Sequence, residues 1–67
     1  MGWYVVFAEG AANTIRPVGD KDDAIAAACR MRRQGRRILM IAPYGNDALR
    51  DHAIEGAEMR EILAQAR

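Results

Sequence analysis

Residues 19–37, GDKDDAIAAACRMRRQGRR, hold the start, the body and the end of a helix in one stretch. Asp20 reads as the N-cap, because its side-chain oxygen can accept from the free amides of the first turn. Asp22 and Asp23 follow at the positive pole of the helix dipole. The spacing predicts a helix from about Lys21 to Gln34. Gly35 ends it as a C′ residue, which takes the left-handed conformation without a Cβ penalty. At 100° per residue Ala24, Ile25, Ala28 and Met31 share one face, with Ala27 at its margin. Asp22, Ala26, Arg30 and Arg33 point the other way. Arg32 lies nearer the apolar side, where its stem can cover the core edge while its head stays in water.

Ahead of this helix, Trp3–Ala8 reads as a strand of aromatic and β-branched residues closed by Glu9-Gly10. Both of its faces are apolar, which suits a central strand. Glu9–Asn13 reads as a turn and Thr14–Val18 as a second, weaker strand. Pro17 cannot donate to a ladder, so the second strand belongs at a sheet edge. After the helix, Arg37–Ala42 reads as a third strand, with Ile38 and Met40 on one face and Leu39 and Ile41 on the other. Pro43-Tyr44-Gly45 ends it. Asn46 or Asp47 then caps a final helix to about Ala66, with Leu49, His52, Gly56, Met59, Leu63 and Ala66 as its stripe. Gly56 within that helix would cost about 1 kcal/mol relative to alanine. Ile54 falls opposite the stripe, so either the helix breaks near Gly56 or Ile54 meets another chain.

The order β-β-α-β-α gives an α+β domain spanning residues 1–67. A right-handed crossover makes the second and third strands parallel. The first strand then lies between them, in a small three-stranded mixed sheet of order 2-1-3. Two helices cover one face of it. The other face, with Tyr4, Val6, Leu39 and Ile41, is left bare, and such a face on a small protein marks an interface. These four residues and Ile54 are the expected contacts of a homodimer. A chain of 67 residues buries only about 60% of its unfolded surface, so association would supply burial that folding alone cannot.

Cys29 is the sole cysteine, which excludes an intrachain disulfide and fits a reducing compartment. The N-terminal apolar run ends at Glu9, too short for a membrane span and without a signal peptide's basic lead. A cytoplasmic protein is expected. Nine arginines against one lysine, many alanines and no serine suggest a GC-rich bacterial or phage gene.

The absence of serine removes serine-type acyl transfer. His52 is the one histidine, and it sits on the apolar stripe of its helix, where packing explains it. A structural zinc site needs four ligands that the chain does not offer, and no HExxH pattern is present. Cys29 reads as a buried structural thiol. Asp20, Asp22 and Asp23 are explained by the helix dipole, and no glycine-rich phosphate loop precedes them. No enzyme, metal or cofactor is implied.

One feature is left over. Arg30, Arg32, Arg33, Arg36 and Arg37 fall within eight residues, uninterrupted by acid. The rest of the chain has five basic and nine acidic groups, so a net charge of +1 hides a segment of +5 on a remainder of −4. The helix dipole explains three cations in the last turn but not five. Guanidinium suits bidentate contact with carboxylate or phosphate. Arg30, Arg33, Arg36 and Arg37 are therefore the candidate partner-binding residues. The expected partner is another protein, with the acidic final helix of a second copy (Asp47, Asp51, Glu55, Glu58, Glu61) among the candidates. The reading is of a non-catalytic interaction module, of the kind found in small bacterial or phage regulators and inhibitors. The alternative is a small nucleic-acid-binding protein using the same patch. It lacks interleaved aromatics, and the acidic remainder would repel a phosphate backbone.

Overall fold

The computed structural model describes residues 2–43 and 53–65. The elements are β1 (Trp3–Glu9), β2 (Ala12–Val18), α1 (Lys21–Arg33), β3 (Arg37–Pro43), β4 (Ile54–Glu55) and α2 (Gly56–Gln65). The strands form one sheet of order β2-β1-β3-β4. The α+β class, the central β1 and the edge position of Pro17 agree with the sequence reading. Two details are corrected. A fourth strand extends the sheet, and every neighbouring pair is antiparallel, so the sheet is not mixed. β2 and β3 do share a direction, but β1 separates them.

Local chemistry explains the joints. Glu9 pairs with Ala12, so the hairpin loop is only Gly10-Ala11. Gly10 has φ +61° and Ala11 does not share the positive φ, which is the pattern of a type II′ turn. The turn is tighter than Glu9–Asn13, and β2 starts at Ala12 rather than Thr14. At the start of α1, Asp20 Oδ1 accepts from the Asp23 amide at 2.9 Å. Asp23 Oδ2 accepts from the Asp20 amide at 3.3 Å, closing a capping box. At its end the Gly35 amide donates to the Arg32 carbonyl and the Arg36 amide to the Met31 carbonyl, both at 3.0 Å. With Gly35 at φ +88°, this is a Schellman motif.

The core lies between the inward face of the sheet and the two helices. Val5 and Phe7 of β1 meet Ala24, Ala27, Ala28 and Met31 of α1 in one cluster, which also takes in Met59 and Leu63 of α2. Alanine on the sheet-facing side lets α1 sit close to the strands.

β3 departs from simple alternation. Val6 is opposite Met40 but Phe7 is opposite Ile38, so Leu39 is an extra residue, a β-bulge. The bulge resets the phase. Ile38 and Ile41 both face the core, and Ile41 is 0% exposed. Ile41 therefore faces the core and not the outer face, where strict alternation would have put it, and its burial removes it from the expected dimer contacts.

The final helix is also corrected. Ile54 and Glu55 pair with Ile41 and Met40 as β4. Gly56, at φ +61°, then turns the chain into a helix ending at Gln65. A left-handed residue cannot continue a right-handed helix, so the break near Gly56 is the alternative realised. Ile54 is 3% exposed within the core and is unavailable to a second chain. The expected helical positions 46–52, with His52, lie outside the described residues.

The outward face carries Tyr4, Val6, Ile15, Pro17 and Met40, with Ala42 beside Tyr4 buried at 2% exposure. Val6 is the cross-strand partner of both Ile15 and Met40, and Tyr4 is opposite Pro17. Neither α1 nor α2 packs on it, and Ile15 is 61% exposed. No helix among the described residues is long and apolar enough to cross a membrane.

Candidate anion-binding pocket

The Schellman motif decides where the arginine run goes. It reverses the chain within Gln34-Gly35, so Arg36 folds back under the end of α1. Arg36 is half-buried, and its guanidinium carbon lies 5.3 Å from the centre of the Phe7 ring. Such a contact is a cation–π interaction and fixes the direction of the side chain. Arg37 opens β3 opposite Ala8 and is exposed.

Arg36 and Arg37 line a cavity of about 350 Å³ together with Arg32 of α1 and Arg60 of α2. Four guanidinium-bearing residues thus converge from a helix end, a loop, a strand start and a second helix. Beneath them lie Ile38, Leu39, Met59 and Leu63. Three of these are core residues whose edges form an aliphatic floor. Gly56 completes the wall, which places the positive pole of α2 beside the arginines. No carboxylate of the described residues lines the cavity. Among the described residues, neither Arg32, Arg37 nor Arg60 makes an ion pair. Glu55, Glu58 and Glu61, the acids of β4 and α2, are exposed and lie outside the lining.

The other two candidate arginines go elsewhere. Arg30 lines a groove of about 550 Å³ between β2 and α1, with Arg16, Asp23 and Gln34. That groove is larger but mixed in charge, and Asp23 would repel an anion there. Arg33 is exposed and lines neither cavity. The run therefore divides, with Arg32, Arg36 and Arg37 in one site and Arg30 in another.

The sequence reading missed Arg60 and set Arg32 aside as a stem over the core edge. Arg32 does take the apolar side of α1, and that position brings it to the cavity. For Arg60 the available signal was its place beside Met59, within a turn of Gly56, on the edge of the α2 stripe. Without the pairing of β4 on β3, nothing linked that edge to the arginine run.

Cys29 is a buried free thiol on α1. Among the described residues no group of three or more His, Cys, Asp or Glu side chains is arranged to hold a metal ion. Comparison with protein-family models, with curated proteins and with solved structures finds no match for this chain.

Proposed function

We propose that the chain is a non-catalytic interaction module that binds an acidic surface of a partner protein through the cavity of Arg32, Arg36, Arg37 and Arg60. The observation that carries this reading is the convergence of four arginines on one cavity, with no carboxylate of the described residues in its lining. Like charges brought together without counter-ions destabilise the free protein, and an anionic partner relieves that cost. Arginine serves here better than lysine, because its planar fork meets carboxylate oxygens two at a time.

The floor separates this reading from nucleic-acid binding. Single-stranded nucleic acid uses aromatic platforms on which bases stack. Among the described residues this floor is aliphatic, and the Phe7 ring near it is faced by Arg36. A regulator or inhibitor working in a reducing cytoplasm fits the charge-segregated surface and the single unpaired thiol.

A homodimer forms part of the proposal, through the outer sheet face of Tyr4 and Val6, with Ile15 and Met40 beside them in place of Leu39, the bulge residue that lines the arginine cavity. A standard interface takes about 800 Å² from each partner, roughly a sixth of the 4673 Å² surface of this chain.

Salt titration tests the binding mode. Labelled poly-glutamate, random duplex and single strands of matched charge are titrated with the protein at several ionic strengths. Poly-glutamate should bind, and more tightly than either nucleic acid. Preferred binding of either nucleic acid, lost in Arg36→Gln with Arg60→Gln, replaces the proposal with the nucleic-acid reading.

A further inference from the structure

We infer that the four-arginine cavity recognises a short acidic segment carrying one aliphatic side chain, with carboxylates on the guanidinium rim and the aliphatic group on the floor. This rests on the acidic-partner reading and adds what the segment must contain.

The rim demands more than one charge. Arg32, Arg36, Arg37 and Arg60 bring four guanidinium groups to the cavity, whereas the two oxygens of one carboxylate pair fork-to-fork with a single guanidinium. A segment with acids on both sides of a central residue can engage more than one. The floor demands something other than charge. Leu39 is half-buried, and together with the buried Ile38, Met59 and Leu63 it leaves an apolar edge open to water that offers a ligand no charged or hydrogen-bonding side-chain group. A purely acidic ligand would leave that floor against solvent. An aliphatic side chain would remove it from water, which is favourable in proportion to the apolar area covered. The volume of about 350 Å³ lies at the small end of the range for ligand pockets, roughly 300–1,000 Å³. Such a space suits one side chain and its flanking backbone rather than a folded domain edge.

Arg36 is partly pre-set for this task. Its guanidinium is held over Phe7 and its backbone by the Schellman motif, so less freedom is lost when it meets a carboxylate. The groove between β2 and α1 lacks this combination, because Asp23 lies in its wall.

The test uses two labelled peptides, Glu-Glu-Leu-Glu-Glu and the same peptide with alanine at the centre, titrated by fluorescence anisotropy against the full chain. The change is in the ligand, so the fold of the protein is not at stake. The leucine peptide should bind about tenfold more tightly, corresponding to partial burial of its side chain. Arg32→Gln with Arg60→Gln should weaken both peptides, and Arg33→Gln, outside the cavity, should weaken neither; circular dichroism confirms that each variant is folded. Equal affinity for the two peptides, still dependent on Arg32 and Arg60, overturns the aliphatic recognition and leaves the acidic-partner reading standing. Loss of binding in Arg33→Gln as large as in the cavity variant overturns the site. Binding of neither peptide at low salt overturns both the site and the reading beneath it.

Discussion

Replacing Gly56 with alanine separates two structures of the same sequence by the sign of one number. In an uninterrupted helix, Gly→Ala stabilises by roughly 0.5–1 kcal/mol, because glycine loses more backbone freedom on folding. In the structure Gly56 has φ +61°, where an L-residue costs about 1–2 kcal/mol. A Cβ at this position meets nothing within 4 Å, so no steric clash adds to that cost. Alanine also stiffens the unfolded chain, which gives back about 0.4–1 kcal/mol. The net expectation is a loss of about 1 kcal/mol. For a domain of this size that is a fall of roughly 4–8 °C in thermal midpoint. Helical ellipticity followed through urea and heat measures it, and Gly35→Ala supplies the calibration. Gly35 has φ +88° and equally open space around its Cβ position, so the two variants should lose stability together. Gly56→Asn should lose less than Gly56→Ala, since asparagine tolerates the left-handed region. If Gly56→Ala is as stable as the parent or more so, while Gly35→Ala is destabilised, the chain does not turn at Gly56. The pairing of β4 with β3 would then fall with it.

Three further outcomes are expected. Asp20→Ala should lower stability by about 1 kcal/mol in urea unfolding, since both hydrogen bonds of the capping box depend on the Asp20–Asp23 geometry. Ile54→Ala should cost about 2–5 kcal/mol, the range for emptying a packed aliphatic site; a change within 0.5 kcal/mol would place Ile54 on the surface. Analytical ultracentrifugation should show a dimer at micromolar concentration that Val6→Lys with Ile15→Lys dissociates, and a parent chain that stays monomeric across that range removes the homodimer.

Much of the fold was legible because its signals are local. Asp20 and Gly35 bracket α1 through bonds that reach no more than five residues along the chain. Pro17 declares an edge by lacking an amide proton, and the double apolar faces of β1 declare a centre. The bulge at Leu39 was not legible. Ile38–Ile41 reads as plain alternation, and only the mismatch against β1 makes one residue extra. That single insertion moves Ile41 from the expected outer face to the core. Gly56 was ambiguous for a different reason: helical spacing holds on both sides of it, and φ is not written in the pattern.

The candidate site divides in the same way. The amino-acid sequence by itself determined that a run of arginines leaves α1 at Gly35 with more positive charge than the helix dipole uses. Capping and charge order act within one or two turns, so they survive without knowledge of the rest of the molecule. Only the tertiary structure decided which arginines meet. It sent Arg30 to the β2 groove, left Arg33 outside both cavities, and brought Arg60 across to Arg32, Arg36 and Arg37. The cause is the pairing of Ile54 with Ile41, a contact between residues thirteen apart in sequence that seats α2 beside the start of β3. Burial of Ile54, Met59 and Leu63 in the common core accompanies that seating, and the cavity of the four arginines lies where Met59 and Leu63 meet the start of β3.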